Sequence, residues 1–352
     1  MRVDYLIIGQ GVSGTFLSWY LIRQGATVMI IDENKSNTAS KVAAGLINPV
    51  TGRRLVKSWM IDELMPFAKE AYSMIGAELN IQCIRETSLL QFFNAPDVEQ
   101  AFRKRLSEEP DYLALPDDKD WRPVFDYPFG WGIIEPCYIA DLAGLITAHR
   151  ARLADEGQLI EERFIASDLI VNSKEVSYRN IIADKIIFCD GESAMLNPWF
   201  SRLPFSLNKG EALTLEIPEL SCGHIYKFRH TLIPVDVEAS LFWFGSSYEW
   251  TYEDDQPSEK FRREAEAELK RFLKLPFTIV DHLAAIRPAN VERRPFVGLH
   301  PANPQIGILN GMGTKGCSLA PYFAKQMAER LTGGKPLLPE VDVNRFRRVL
   351  AD

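Results

Sequence analysis

Short apolar segments that end at glycine occur near the start, the middle and the end of the chain. At the start, segment 3–9 predicts a buried strand, the helical spacing of apolar residues from Phe16 to Leu21 predicts a helix, and segment 27–32 predicts a second buried strand. This order predicts a β-α-β unit with a right-handed crossover. Segments 185–191 and 306–313 again pass from an apolar strand pattern into glycine, so the same type of structure is expected there.

The middle of the chain has a different pattern. Helical periodicity predicts helices within 58–76, 97–109, 139–157 and 258–276. From 206 to 250 polar and apolar residues alternate, which predicts antiparallel strands with one solvated face. Antiparallel material therefore interrupts the parallel pattern, and this predicts two domains between which the chain crosses several times.

Composition and charge are those of an ordinary globular protein and exclude several classes. The 352 residues are 46% hydrophobic and 25% charged, and the net charge of −7 argues against the basic surface of a nucleic-acid-binding protein. No apolar run is long enough to cross a bilayer, and the N-terminus lacks the pattern of a signal peptide. The five cysteines and five histidines are dispersed, which predicts free thiols, no metal site and a cytoplasmic location.

The first glycine turn has the spacing Gly-x-Gly-x-x-Gly, at Gly9, Gly11 and Gly14. In a dinucleotide-binding turn the first glycine permits the tight turn, the second lets a pyrophosphate approach the backbone, and the third lets the helix pack on the strand. Asp32 ends the second strand 18 residues after Gly14, where a carboxylate can accept hydrogen bonds from a ribose 2′-hydroxyl. The turn therefore predicts a dinucleotide site, with a turn that serves packing alone as the alternative.

Small residues follow the second strand, at Ser40, Ala43, Ala44 and Gly45, and would let a bulky ring system lie against the backbone. Together with four other segments, this region resembles the D-amino-acid-oxidase-like FAD-dependent oxidoreductases, which include glycine oxidase and sarcosine oxidase. In chain order the five segments are YLIIGQGVSG with IID, ASKVAAGLINP, IIFCDG, AAIRPANVERRPFVG and ILNGMGTKGCSLAP. The resemblance spans nearly the whole chain.

This resemblance implies a mixed fold, α/β in one part and α+β overall. A Rossmann-like FAD-binding domain would be assembled from the discontinuous segments 1–80, 138–205 and 283–352. An antiparallel β-sheet domain that binds the substrate would comprise 81–137 and 206–282.

The same resemblance implies a set of residues around FAD. The three glycines of the first turn would approach the pyrophosphate, Asp32 would hold the adenosine ribose, and Asn48 would lie near the isoalloxazine edge. The other residues implied at the cofactor are Val12, Ser13, Glu33, Ser40, Ala44, Gly45, Gly191, Gly311, Met312, Gly313, Thr314, Lys315 and Gly316. After the glycine at 191 the family usually has a tryptophan, which the sequence GESAML lacks.

Segment 286–298 matches a family pattern of an arginine, an acid, two prolines and a glycine. The matching residues are Arg287, Pro288, Glu292, Pro295 and Gly298. In amino-acid-oxidising members the arginine at the Arg287 position binds the substrate carboxylate through two parallel charge-assisted hydrogen bonds. The alternative is a structural arginine at a domain junction. Arg293 stands where the family usually has glycine.

The resemblance also implies the reaction, which is oxidation of a C–N bond in a small amine or amino acid. A hydride leaves the carbon that bears the amine for flavin N5, the imine is hydrolysed, and O₂ or another acceptor reoxidises the flavin. Reduced flavin carries negative charge near N1 and C2=O, so the helix N-terminus after the second glycine turn, together with Lys315, is expected there. A solvated loop lysine is the alternative for Lys315.

Several further residues are candidates for the substrate pocket. Aromatic candidates are Tyr226, Phe228, His230, Trp243, Tyr248 and Trp250, although strand aromatics more often lie in a core. Arg53 and Arg54 would either steer an anion or form surface salt bridges. For Cys317, a buried thiol is favoured over a covalent link to the flavin.

Two other functions fit a flavin site. One is action on a modified nucleoside of tRNA, against which the acidic charge counts. The other is a flavoprotein subunit that passes electrons to a partner, although the sequence has no second cofactor motif. The expected partners are therefore a small amine or amino acid and O₂ or another electron acceptor, with no nucleic acid and no transmembrane segment.

Overall fold

The computed structural model describes residues 1–52 and 54–350, and this part of the chain contains two large β-sheets and a two-stranded one. The strands are β1 (Arg2–Ile8), β2 (Val28–Ile31), β3 (Leu46–Ile47), β4 (Val50–Thr51), β5 (Val56–Lys57), β6 (Ile84–Phe92), β7 (Leu113–Ala114), β8 (Trp131–Ala140), β9 (Leu159–Ile160), β10 (Leu169–Val171), β11 (Val176–Tyr178), β12 (Ile181–Phe188), β13 (Asn208–Glu216), β14 (His224–Lys227), β15 (Thr231–Asp236), β16 (Leu241–Gly245), β17 (Thr278–Arg287), β18 (Phe296–Leu299) and β19 (Ile306–Asn310).

Six of the helices, α1 and α3 to α7, lie in the regions that the sequence predicts, and the four-residue helices α2 and α8 were not predicted. They are α1 (Val12–Arg23), α2 (Ala39–Val42), α3 (Ile61–Leu79), α4 (Pro96–Glu108), α5 (Leu142–Asp155), α6 (Glu259–Phe272), α7 (Gly316–Gly333) and α8 (Arg347–Leu350). Helix α6 begins after Ser258, whose side chain accepts a hydrogen bond from the Phe261 N–H, as expected for a capped helix.

The first sheet joins strands from the start, the middle and the end of the chain. β1 pairs in parallel with β2 and β12, and β12 pairs in parallel with β19. β9 adds a further parallel strand, whereas β10, β11 and β18 are antiparallel. The glycine turns that follow β1, β12 and β19 therefore lie at the carboxyl ends of neighbouring parallel strands, which is where such sheets bind ligands.

Strand β1 is apolar from Tyr5 to Ile8 because both of its faces are buried there. Tyr5 and Ile7 belong to a core formed with α1, α3, α5 and α7. Leu6 and Ile8 belong to a second core on the opposite face. A strand that is covered on both sides needs a continuous apolar run instead of alternation, and this is the pattern seen in the sequence.

The second sheet is antiparallel apart from the parallel pair β6–β14, and its order is β17-β13-β16-β15-β14-β6-β8-β3 with β7 paired to β8. One face packs against α6 through a cluster of aromatic side chains that includes Phe92, Tyr226, Phe242 and Phe244. The opposite face carries small residues and, as described below, lines a cavity. The mixed α/β architecture expected from the sequence is therefore confirmed.

The predicted domain boundaries at 137/138 and 282/283 fall within β8 and β17, two strands of the second sheet. The division into two domains stays a prediction.

The aromatic cluster gives a direct test of this packing. Phe92 is fully buried, and its ring centroid lies 4.9 Å from that of Phe125 and 5.0 Å from that of Tyr127. Phe92→Ala should lower the free energy of unfolding by about 3–5 kcal/mol, because the lost side chain leaves a cavity. Urea unfolding followed by tryptophan fluorescence measures this loss. Leu115→Ala, at a residue that is 63% exposed, is the control and should stay within about 0.5 kcal/mol of the wild type. A similar loss in both variants would contradict the proposed importance of the cluster.

Candidate active site

A cavity of about 840 Å³ is lined by the carboxyl ends of β1, β2, β12 and β19 and by one face of the second sheet. Cavities of this size commonly hold cofactors and small ligands. The lining also includes the α2 region, which the sequence predicted through Ser40, and the loop that carries residues 162–167, which it did not predict.

The three positions of the first turn require glycine for different structural reasons. Gly9 has a φ of +96°, which side chains rarely permit, and a Cβ on Gly14 would overlap the Gly9 carbonyl oxygen. Gly14 is therefore required for the close packing of α1 on β1, and it does not line the cavity. Gly11 does line it, and a Cβ there would meet only Ser40, at 3.1 Å from Oγ. Gly11 is therefore the glycine that leaves room for a ligand.

Helix α1 begins at this turn and directs its N-terminus toward the cavity, which Gly11, Val12 and Ser13 line. Its first turn carries no acidic side chain. The Val12 N–H donates to Ser40 Oγ at 3.1 Å, so the α2 region is tied to the start of the helix. An uncompensated helix N-terminus of this length favours an anion.

Asp32 lines the cavity at the end of β2, next to Glu33. One of its oxygens accepts a hydrogen bond from the Gln10 N–H, and the other accepts from Arg150 Nη1, each at 2.8 Å. The carboxylate thus connects the glycine turn to α5 and keeps a fixed orientation. Sequence reasoning missed Arg150, which lies on a helix about 120 residues further along the chain.

The second glycine turn leads into α7. Gly311 has a φ of +77°, and its carbonyl oxygen accepts from Asn290 Nδ2 at 2.9 Å. A Cβ on Gly311 would lie 2.9 Å from the Phe296 ring, so this glycine serves packing and does not line the cavity. The following residues, from Met312 to Gly316, do line it.

Lys315 projects from this turn at the start of α7. Burial and the nearby guanidinium groups of Arg294 and Arg293 lower the pKa of its ammonium group. In the part of the chain that the structure describes, its side chain has no carboxylate partner. A cation in this state favours the approach of an anion.

Arg287 lies at the end of β17 on the cavity face of the second sheet. Its Nη1 donates to Asn208 Oδ1 at 2.6 Å, and Nη1 and Nη2 both donate to the Ser247 carbonyl oxygen at 3.3 Å. The guanidinium lies 4.7 Å from the centroid of the Tyr248 ring. A Cβ on Gly210 would overlap the Arg287 guanidinium, so the head group extends sideways across β13.

The acid and the unusual arginine in the segment that contains Arg287 have structural explanations. Glu292 pairs with Arg345 at 3.0 Å, at the periphery of the fold. Arg293 has a φ of +55°, in the left-handed region that glycine adopts without strain. The departure from the family's glycine therefore retains the backbone conformation at a cost of about 1–2 kcal/mol.

A comparison with known families agrees with this geometry. The family model described as FAD dependent oxidoreductase matches residues 4–330. The chain belongs to this family. It is an FAD-dependent oxidoreductase, and the predicted cofactor class is confirmed.

Individual relatives are distant in sequence and close in fold. The uncharacterized oxidoreductase YurR of Bacillus subtilis (strain 168) is 21% identical over 371 residues, covering 94% of this chain and 95% of its own. The structure of iminodiacetate oxidase from Chelativorans sp. BNC1 has a TM-score of 0.77 at 21% identity, covering 96% of this chain and 97% of its own. The structure of glycine oxidase from Geobacillus kaustophilus has a TM-score of 0.80 at 16% identity and 96% coverage of both chains.

The cavity of this oxidoreductase brings together most of the residues predicted from the sequence. Those that line it are Gly9, Gly11, Val12, Ser13, Asp32, Glu33, Ser40, Ala44, Gly45, Asn48, Gly191, Arg287, Met312, Gly313, Thr314, Lys315 and Gly316. Gly14 and Gly311 lie behind them in the packing of the turns. The open space at Gly11 and the helix N-terminus beside it fit an FAD pyrophosphate.

The aromatic candidates separate by strand register. His230, Trp243 and Tyr248 line the cavity, whereas Tyr226 and Phe228 pack in the aromatic cluster on the other side of the sheet. Trp243 Nε1 donates to the Val42 carbonyl oxygen at 3.0 Å, which ties the second sheet to the α2 region.

Three smaller predictions concern Arg53 and Arg54, Cys317 and membrane-spanning helices. Arg54 is exposed, and Arg53 lies outside the described residues. Cys317 lines the cavity, and burial raises the pKa of its thiol to about 12, so the reactive thiolate is scarce. None of the helices among the described residues is both long and apolar enough to cross a membrane.

Asp190, at the carboxyl end of β12, is a site residue that sequence reasoning missed. Its carboxylate accepts hydrogen bonds from Asn310 Nδ2 at 2.9 Å and from Asn197 Nδ2 at 3.0 Å. Asn310 Oδ1 in turn accepts from the Gly311 N–H at 2.7 Å, so the carboxylate links the turns after β12 and β19. Burial raises the pKa of Asp190 to about 6, and the two amide donors partly oppose this rise.

The raised pKa of Asp190 predicts a pH-dependent stability. In the unfolded chain this carboxyl ionises near pH 3.8, so the folded state loses stability as pH rises from about 4 to 6 and the charge must be buried. Asp190→Asn removes this titration. Between pH 4 and 7 the free energy of unfolding of the variant should shift relative to the wild type by about 1–3 kcal/mol in its favour.

Urea unfolding at several pH values measures this shift, since other titrations cancel in the comparison. Asp118→Asn, on the exposed surface, is the control and should remain within about 0.5 kcal/mol of the wild type. A constant difference between Asp190→Asn and the wild type across this range would contradict the prediction.

Proposed function

We propose that this FAD-dependent oxidoreductase oxidises the C–N bond of a small amine or amino acid that carries a carboxylate. The observation that supports this most strongly is the position of Arg287, a largely buried guanidinium on the cavity wall. Burial lowers its pKa, but an arginine remains charged under all ordinary conditions.

The contacts of Arg287 hold it in place and leave hydrogen-bond capacity. Guanidinium has five N–H donors, and Asn208 and the Ser247 carbonyl oxygen occupy only some of them. Neither partner carries a charge, and no carboxylate among the described residues pairs with Arg287. A substrate carboxylate would supply the missing counter-charge and accept two parallel hydrogen bonds.

The rest of the sheet face is suited to a small substrate. Gly210, Ala212, Gly245 and Ala285 line the cavity next to Arg287 and present almost no side-chain bulk. The space above them would accept the carbon and nitrogen atoms of the substrate. An amine that binds in its neutral form requires no strong side-chain base. This agrees with the described lining of the cavity, to which the second sheet contributes no carboxylate.

On this proposal the first-sheet side of the cavity holds the cofactor. Gly11 and the N-terminus of α1 bind the pyrophosphate, and Asp32 binds the adenosine ribose. Bound FAD would supply the hydride acceptor for the substrate carbon and the route by which the electrons reach O₂ or another acceptor. Lys315 and the N-terminus of α7 stabilise negative charge at the flavin ring, so they lie close to the reacting centre.

The substrates in the names of two structural relatives guide the choice of test compounds. Iminodiacetate and glycine are both small amines that carry carboxylates. A panel of such compounds, with sarcosine and simple amines that lack a carboxylate, covers the proposed class.

The proposal predicts that a carboxylate-bearing amine bleaches the flavin absorbance of the FAD-loaded protein without oxygen. Arg287→Ala should cost about 2–5 kcal/mol in binding of that substrate, seen as a higher KM, because the fixed guanidinium contact is lost. Arg287→Lys keeps the charge without the fork and should give an intermediate KM. An amine without a carboxylate is the matched control and should be unaffected by either change.

An unchanged KM for the carboxylate-bearing substrate in Arg287→Ala would exclude this role. Absence of bleaching by every amine in the panel would exclude C–N oxidation. Reduction followed by failure to reoxidise in air, with reduction of a quinone-like acceptor, would favour the alternative of an electron-passing subunit.

Substitutions in the two glycine turns are predicted to have different effects on the bound cofactor. Gly11→Val places bulk where the pyrophosphate binds and should abolish retention of FAD. Gly313 has a φ of +57°, and a Cβ there would lie no closer than 3.6 Å to Ala289. Gly313→Ala adds only a methyl group and about 1–2 kcal/mol of backbone strain, so it should keep some FAD and change the reduction potential of the flavin. Flavin content after desalting and a redox titration measure the two effects; complete and equal loss of FAD from both variants would contradict the assignment.

A further inference from the structure

The carboxylates in the cavity lining lie on one side of the cavity. Those that line its described part are Asp32, Glu33, Glu162, Asp190 and Glu192, all of them on the first-sheet side, where Lys35, Arg163 and Lys315 also line it. From the second sheet and its loops the basic lining residues are Lys227, Arg229, His230 and Arg287. The substrate side of the cavity is therefore positively charged without nearby carboxylates in its lining.

These basic groups are not equivalent. His230 Nδ1 pairs with Glu268 at 2.8 Å, and Arg229 is exposed to solvent. Lys227 is partly buried, and in the described structure its ammonium group has neither a carboxylate nor another hydrogen-bond acceptor. Burial lowers its pKa. A partly buried ammonium group that opens to the cavity and has no partner is available to an anion, so a ligand that supplies an anion would be stabilised there.

Strand register places Lys227 on the cavity face of the second sheet, which also carries the small residues of the lining. Lys227 is opposite Thr231, Thr231 is opposite Gly245, and Gly245 is opposite Ala212. All four residues line the cavity, as expected for a row across one face of a sheet. Lys227 and Arg287 therefore lie at opposite sides of a floor made of small residues.

The separation of the two basic groups limits the size of the ligand. The Arg287 head group lies over Gly210 on β13, three strand spacings, about 14 Å, from β14. The row of Lys227 crosses β13 at Ala212, two residues or about 7 Å along the strand from Gly210, so the total separation is about 16 Å. A lysine side chain spans roughly 6 Å, which leaves a gap on the order of 10 Å between the charged groups. A hydrogen bond of about 2.8 Å at each end leaves about 4–5 Å between the two anionic oxygen atoms of the ligand, a distance that two carboxylates joined by about three atoms can span.

We infer that the substrate of this site is an amine with two anionic groups, one bound by Arg287 and the second by Lys227. This inference rests on the proposed function for the role of Arg287 and adds the class of substrate. Lys227 is then a specificity-determining residue that binds the end of the substrate far from Arg287.

A pair of compounds that cannot be oxidised at nitrogen tests this without turnover. Oxydiacetate carries two carboxylates on either side of an ether oxygen, and methoxyacetate carries one. Isothermal titration of the FAD-loaded wild type should give at least about tenfold tighter binding of oxydiacetate, because only the diacid reaches both basic groups. Lys227→Met should reduce this preference to about twofold or less, and Lys227→Arg should restore most of it.

Arg229→Met is the matched control, since it removes another basic lining residue and should keep the preference of the wild type. Flavin absorbance and melting temperature verify that each variant is folded and loaded. Equal binding of the two compounds by the wild type, or a preference that survives in Lys227→Met, would overturn the inference. Because neither compound is an amine, failure of C–N oxidation in the substrate panel is a separate result and leaves this measurement intact.

Discussion

The close contact between α1 and β1 is the constraint on which the site depends. A helix can approach the end of the preceding strand this closely only if the contact residue has no Cβ, which is the case at Gly14 against the Gly9 carbonyl. The contact fixes the direction of α1, and the direction of α1 places its N-terminus at the cavity. The parallel partners β12 and β19 then bring two more turns to the same edge. The cofactor side of the cavity is a consequence of backbone packing.

The second sheet forms the other side of the cavity, and its two faces carry different kinds of side chain. Large aromatic side chains point toward α6, and the cavity face of β13, β16 and β17 includes the small residues Gly210, Ala212, Gly245 and Ala285. Because side chains of a strand alternate between faces, one alternating pattern provides both the stability of this part of the fold and the free volume of the site. The polar groups that remain on the cavity face are therefore few and well separated, as binding sites for small ligands require.

The sequence predicted the parts of this structure that depend on local pattern. Strands buried on both faces, amphipathic helices and glycine turns each leave a periodicity or a spacing, and the resemblance to a family connected Arg287 with a substrate carboxylate. It did not predict the residues that come together through register and long-range packing. Tyr226 and Trp243 are both aromatic residues in strands, and the sequence does not show which of them faces the core. Only the pairing of β14, β15 and β16 shows that Tyr226 lies in the core and Trp243 in the cavity lining. Asp190 and Lys227 were missed because no local motif surrounds them. Whether such a side chain has a hydrogen-bond partner depends on segments that are distant in the sequence.

The glycine at position 210 has a consequence for how such enzymes diversify. The guanidinium of Arg287 crosses β13 directly above this residue, so the arginine can adopt its position only while 210 has no side chain. An evolutionary change in which substrates are accepted therefore does not have to begin at the arginine itself. A single methyl group at position 210 on the neighbouring strand would displace the guanidinium. The sequence would then still contain the arginine, although its head group would no longer occupy this position. In this chain the proposed carboxylate site therefore depends on the residue at 210 as well as on the arginine itself.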